Sequence, residues 1–235
     1  LEYRYMAPIQ LLAAELRGGT AGQARMIAIR EHRFPFLPKV NDWNRFNRNS
    51  GGTFVEKCCH FFDLMRLLAQ SEPQRVYCSA AQDVNHLDES YDGETPDILD
   101  NGYVIVDFAN GIRGMLDLCM FAEGSREEQE VSVIGDRGKL EALIPSSRFV
   151  LGKRSPVSVA EEVIEVDEKI LNAGFHHGST YFEHQAFLHA LKNKLSPEVS
   201  SWDGLMSVVM GLAAQDSASK GRAVAISEYD LPDRD

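Results

Sequence analysis

The sequence predicts an α+β domain with helices packed on one face of a mostly antiparallel sheet, and three observations predict it. Strand-like runs follow one another closely between residues 74 and 166. The segments "ANG" and "GDRG" between them carry tight-turn chemistry. Helical periodicity is confined to the stretches before and after these strands, which is the pattern of segregated rather than alternating elements. No repeat, low-complexity tract or linker divides the 235 residues, so the chain is read as a single domain, 1–235.

The elements follow in order. "APIQLLAAELRGG" spaces its apolar residues for one helix face, with Pro8 near its start and a glycine pair at its end. "ARMIAIREHR" reads as a strand that becomes charged at its C-terminal end. Residues 34–50 hold two prolines and four asparagines without periodicity, a long irregular loop of the kind that tends to carry function. "GGTFVEKCCHFFDLMRLL", residues 51–68, reads as one largely buried helix. Six strands are then predicted: "QRVYCSAAQDV", "GYVIVDFA", "IRGMLDLCMFA", "EVSVIG", "KLEALI" and "AEEVIEV". The acidic stretch "NHLDESYDGETPDILD" between the first two reads as solvated loop. Two helices close the chain: "STYFEHQAFLHALKN", capped by Ser179 or Thr180, and "DGLMSVVMGLAAQDSASKG", starting at Asp203 and stopped by Gly221.

Composition removes several classes of function. A formal charge of −11 repels nucleic acid and anionic membrane alike. No apolar run approaches the roughly 20 residues that span a bilayer, and "LEYRYMAPIQ" lacks signal-peptide regions, so a cytoplasmic location is expected. Cys58, Cys59, Cys78 and Cys119 show neither disulfide-framework nor zinc-ribbon spacing, and reduced thiols are expected. No glycine cluster fits a nucleotide cradle: "RGGTAGQA" follows a helix and precedes a strand, the reverse of the order a pyrophosphate site needs, and "IGDRGK" lies between strands.

Chemistry concentrates on residues 51–68. Glu56 and His60 are four apart and Asp63 lies three further on, so on one helix all three can face a common cleft. Burial raises a carboxyl pKa and lowers that of imidazole, while an opposite charge does the reverse, which makes a Glu/His pair tunable for acid/base work. A core helix whose histidine satisfies a buried hydrogen bond is the competing interpretation. A metal site needs three or four convergent ligands, and Glu-x-x-x-His with adjacent cysteines is not the His-Glu-x-x-His pattern; a Cys58 or Cys59 nucleophile has only His60 and Lys57 near in sequence to activate it. His176 and His177 precede a helix N-terminus, a place suited to an anionic or hydroxylated ligand, and Arg33 ends the charged "REHR" run that can line the same cleft.

Four segments in order resemble the C-terminal domain of the Gfo/Idh/MocA oxidoreductases, the relatives of glucose-fructose oxidoreductase and inositol dehydrogenase. "RYMAPIQLLAAELRGGTAG" resembles the family's first helix after its nucleotide domain, and "GGTFVEKCCHFFDL" its Gly-Gly-x-x-x-Asp-x-x-x-His-x-x-Asp signature. "FANGIRGMLD" with "VSVIGDRGKLEA" is similar to its central hairpins, and "DGLMSVVMGLAAQDSASKGRAVAI" to its closing helix and strand. The resemblance implies an open-faced sheet and NAD or NADP as cofactor of the full-length enzyme, with none bound by this chain alone because the Rossmann domain is missing. It also implies a sugar, inositol or polyol substrate and a homodimer, or higher homo-oligomer, through the sheet face. It makes His60 the proton-transferring group, Glu56 the replacement for the signature aspartate, one methylene longer, and Asp63 a substrate or structural contact. Lys57, Tyr5, Arg33, His176 and His177 join as candidate substrate contacts. Two rivals stand beside this expectation: a non-catalytic carbohydrate-binding or assembly module on the same fold, and a metal hydrolase using His60 with His176 or His177.

Overall fold

The structure is a computed structural model that describes residues 1–174 and 176–233. A 3₁₀ turn at Glu2–Tyr5 leads into helix α1 (Ala7–Arg17), whose N-terminal proline and buried Ile9 and Leu12 match the predicted face. Strand β1 (Ala24–His32) follows. Within the predicted irregular segment, short helical turns form at Val40–Arg45 and at α2 (Asn47–Ser50).

The segment 51–68 differs from its prediction. It is two helical pieces, α3 (Thr53–Glu56) and α4 (Cys59–Ala69), which part at Lys57 and Cys58. At the break the Cys58 N–H reaches back to the Thr53 carbonyl, five residues away, so the turn is wider than an α-helical one. Glu56 and His60 therefore sit on separate helical pieces, one on each side of a joint.

The sheet strands are β2 (Pro73–Ala81), β3 (Asn101–Phe108), β4 (Arg113–Cys119), β5 (Gln129–Gly135), β6 (Gly138–Ile144), β7 (Arg148–Arg154) and β8 (Val157–Val163). Then come α5 (Glu168–Leu171), α6 (Ser179–Asn193), α7 (Ser201–Lys220) and a two-residue β9 (Val224–Ala225). Together with β1 the strands form one nine-stranded sheet in the order β8-β7-β6-β5-β1-β4-β3-β2-β9. The β1–β4 ladder is parallel and the other ladders are antiparallel.

Strand β7 was not among the predicted strands. Its sequence "RFVLGKR" buries only Phe149, so it lacks the alternation that marks a half-buried strand. Helix α7 starts two residues earlier than predicted, because Ser200 is the cap and Asp203 closes a reciprocal capping box with it. Helix α6 is entered through Gly178 at φ 84° with no side-chain cap, rather than through Ser179 or Thr180. The acidic stretch 85–100 is partly buried: Asp100 accepts from the backbone N–H groups of Asp83, Val84 and Asn85, and Glu89 pairs with Arg45 at 2.8 Å.

Helices α1, α4 and α7 lie on the sheet, against β6 and β7, β1, and β2 respectively. On β2, β3 and β4 one alternate set, including Val76, Val104 and Leu116, is buried beneath them. The other set leaves Tyr77, Tyr103, Ile105 and Met115 exposed. Helix α7 crosses α3 so closely that a Cβ on Gly211 would lie 2.4 Å from the Phe54 carbonyl oxygen. Gly52 stands at φ +83°, a conformation that strains any other residue, against the side-chain amides of Gln215 and Asn47. These contacts fix where α3 ends, and hence where Glu56 stands.

Candidate active-site cleft

A cleft of about 600 Å³ opens where the N-terminal turn, the end of β1, the α3–α4 joint, the start of β5 and the turn before α6 converge. Glu56, Lys57 and His60 line it, together with Arg33, His176 and His177. Six of the eight residues singled out in the sequence thus meet in one place. Asp63 and Tyr5 do not line this cleft. Asp63 is fully buried and accepts two hydrogen bonds from the Arg4 guanidinium, so its three-residue spacing from His60 turns it toward the N-terminal turn instead of the opening. Tyr5 is buried, and burial first, then the neighbouring Glu198 and Glu183, push its phenol well above the usual range and keep it protonated.

Among the described cleft residues, His60 and Glu56 each bury a polar atom without a hydrogen-bond partner, Nδ1 and Oε2 respectively, as do Arg33 at Nε and Gln129 at Oε1. Burial first, and then the Lys57 ammonium, push the His60 imidazole down to about 3, so it is neutral at physiological pH. Burial raises the Glu56 carboxyl, against the opposing pull of Lys39, Arg45 and Lys57. His176, at φ 63°, is also lowered by burial and lies 3.4 Å from the Glu2 carboxylate.

Lys57 reaches the cleft wall with its ammonium already engaged. It donates to the Tyr3 hydroxyl at 2.5 Å and lies 3.1 Å from Glu31, which is wholly buried. The second Glu31 oxygen accepts from Gln129 at 2.7 Å, and Arg33 approaches the first at 3.5 Å. The Tyr3 ring stacks on His60. Phe34 and Phe36 supply an apolar wall, with the Arg33 guanidinium over the Phe34 ring at 4.1 Å.

Tyr3 and Gln129 were missed in the sequence, and Glu31 was read only as part of the charged "REHR" run, although a further signal was available for it. Two-residue alternation puts it on the same side of β1 as the buried Ile27 and Ile29, which marks an acid that needs a cation.

Cys58 is fully buried, and burial raises the thiols of both Cys58 and Cys59, which opposes a thiolate nucleophile. Among the described residues no group of three or more His, Cys, Asp or Glu side chains is placed to hold a metal ion. No helix among them is long and apolar enough to cross a membrane. No glycine turn among the described residues leads from a strand into a helix.

The model of the family "Oxidoreductase family, C-terminal alpha/beta domain" matches residues 14–226. Myo-inositol 2-dehydrogenase of Thermotoga maritima is 24% identical over 238 residues, covering 96% of this chain and 63% of that protein. An oxidoreductase domain protein from Kribbella flavida superposes with a TM-score of 0.81 at 16% identity, covering 96% of this chain and 64% of that one. A levoglucosan dehydrogenase in complex with NADH and levoglucosan gives a TM-score of 0.80 at 16% identity, covering 95% and 64%. The chain thus spans under two thirds of the length of these relatives.

Proposed function

Since the chain belongs to the Gfo/Idh/MocA oxidoreductase family, as its C-terminal α/β domain, we propose that it is the substrate-binding and oligomerisation part of an NAD(P)-dependent oxidoreductase acting on a sugar, inositol or related polyol. The observation that carries this reading is that His60 and Glu56 line one open cleft, and each keeps a buried polar atom, Nδ1 and Oε2, without a partner. A buried polar atom without a partner costs free energy, on the order of 1–3 kcal/mol, which a ligand hydroxyl at that place would recover. The named activities of an inositol and a levoglucosan dehydrogenase among the relatives support hydroxylated substrates.

In this reading the neutral His60 imidazole accepts the proton of the reacting hydroxyl, and Glu56 holds the same or a neighbouring hydroxyl. Phe34 and Phe36 carry the apolar C–H face of the ring and exclude water from it. Arg33, His176 and His177 complete the rim as donors. In the same reading the hydride acceptor is NAD or NADP, held by a dinucleotide-binding domain outside these residues, and without that domain the chain does not turn over. Tyr77, Tyr103, Ile105 and Met115 form the face through which two copies associate.

A non-catalytic carbohydrate-binding module is favoured by one observation, the low pKa of His60, which makes it a weak base. The two readings separate when the chain is joined to a dinucleotide-binding domain and assayed with NAD and NADP against a panel of polyols. Turnover that His60→Gln lowers by about 10²-fold or more supports the oxidoreductase. Polyol binding without turnover on any member of the panel supports the module.

A further inference from the structure

His60 carries an unusual burden for a ring proposed to exchange protons: its buried Nδ1 makes no hydrogen bond. Histidines that act as bases are commonly held in one orientation by a hydrogen bond from the second ring nitrogen. The means of orientation here is different. The Tyr3 ring lies on the imidazole with centroids 4.8 Å apart and planes at 18°. Tyr3 is itself locked, being 1% exposed and edge-on to Phe61 at 5.4 Å, while its hydroxyl accepts from Lys57. Lys57 is locked in turn by the buried Glu31, and Glu31 by Gln129 of β5. A continuous set of contacts therefore runs from the sheet to the imidazole plane.

We infer that Tyr3 and Lys57 are the positioning residues of His60: the ammonium fixes the phenol, and the phenol ring fixes the imidazole. The α3–α4 break gives this pair its geometry, because it lets Lys57 turn inward to Glu31 while His60 stands in the first turn of the next helix. A buried lysine and glutamate are a costly way to fill space, since apolar side chains of the same volume pack there at no desolvation cost. Orientation of a neighbouring ring gives the pair a use that packing alone does not. The functional consequence rests on the reading of His60 as the acid/base group; the positioning itself does not.

The test is an NMR measurement on this chain, labelled at histidine, that follows the His60 Cε1–H resonance assigned by its loss in His60→Gln. Stacking on a phenol ring displaces that resonance upfield. Tyr3→Phe keeps a ring and should keep the displacement; Tyr3→Leu should abolish it, moving the resonance toward those of the exposed His184 and His189. Lys57→Met should shift and broaden it, and the double variant Glu31→Gln/Lys57→Met, which leaves no orphaned charge, should do the same if the single variant does not fold. A His60 resonance unmoved in a folded Tyr3→Leu, or unmoved in a folded Lys57→Met or double variant, overturns the inference. In the protein joined to a dinucleotide domain, Tyr3→Leu should lower kcat by about 10-fold with little change in KM, and Tyr3→Phe should restore it. If the resonance moves as expected while His60→Gln retains full turnover, the positioning stands and the proton-transfer role of His60 fails.

Discussion

Lys57 and Glu31 meet at 3.1 Å in the wall of the cleft, one on the joint between α3 and α4 and the other on the inward face of β1. This contact ties the segment that carries Glu56 and His60 to the sheet. It also sets a fixed positive charge beside the imidazole, which adds to burial in keeping His60 neutral.

A dependence of stability on pH follows from that neutrality. The folded-state pKa of His60, about 3, lies below its ordinary 6.5. Between these values the unfolded chain binds the proton and the folded chain does not. The contribution is therefore fully present above pH 6.5 and is lost as pH falls toward 3, with a slope of at most about 1.4 kcal/mol per pH unit. Glu56, raised by burial, acts in the opposite sense as pH rises above its ordinary 4.5. Asp203 and Glu89, both lowered to about 2, add acid sensitivity that is common to wild type and variants. His60→Gln should accordingly narrow the difference in Tm between pH 7 and pH 4.5, measured by calorimetry; an unchanged difference contradicts the buried neutral imidazole.

Asp63 should matter for folding rather than for substrate. It pairs with Arg4 in the interior, and Asp203 approaches the same guanidinium at 3.4 Å while holding Arg66 at 2.9 Å. Asp63→Ala leaves Arg4 short of a buried partner and should cost about 3–5 kcal/mol in urea unfolding. The paired Arg4→Met/Asp63→Leu variant should lose much less. Weakened polyol binding by a still-folded Asp63→Ala, with stability unchanged, would return Asp63 to the substrate.

Gly211→Ala should act at a distance on the cleft. The added Cβ would meet the Phe54 carbonyl oxygen at 2.4 Å, so α3 has to move away from α7. Overpacking of this kind costs about 1–3 kcal/mol, and the movement carries Glu56 with it. Reduced thermal stability together with weaker polyol binding is expected; a variant as stable as wild type contradicts the tight crossing.

The exposed sheet face gives a prediction about assembly. Tyr103 is 61% exposed beside Ile105, Tyr77 and Met115. Sedimentation of the wild type should give a dimer, and Tyr103→Glu should give a monomer with the same circular dichroism. A monomeric wild type at micromolar concentration removes this face as the dimer contact.

Local pattern made much of this legible. Helix α1, the strands with clean alternation and helix α7 up to Gly221 follow from periodicity and caps, and Glu56 and His60 from one short signature. What the sequence hid depends on partners distant along the chain. The break at Lys57 answers to Glu31, 26 positions earlier, and Asp63 answers to Arg4, so neither could be placed from helical spacing within residues 51–68. Tyr3 reads as an ordinary aromatic before a helix until the fold sets it against His60. Strand β7 has a single buried residue and no amphipathic signal, and its place between β6 and β8 comes from backbone pairing.

A substrate hydroxyl that completes the hydrogen bonding of His60 and Glu56 should be visible by NMR. The measurement is a titration of the labelled chain with myo-inositol and simple sugars that records the His60 ring and Glu56 side-chain resonances. Saturable shifts at both residues are expected for at least one polyol, lost in His60→Leu and in Glu56→Leu. Saturable binding that moves resonances elsewhere and leaves these two unchanged would contradict that expectation.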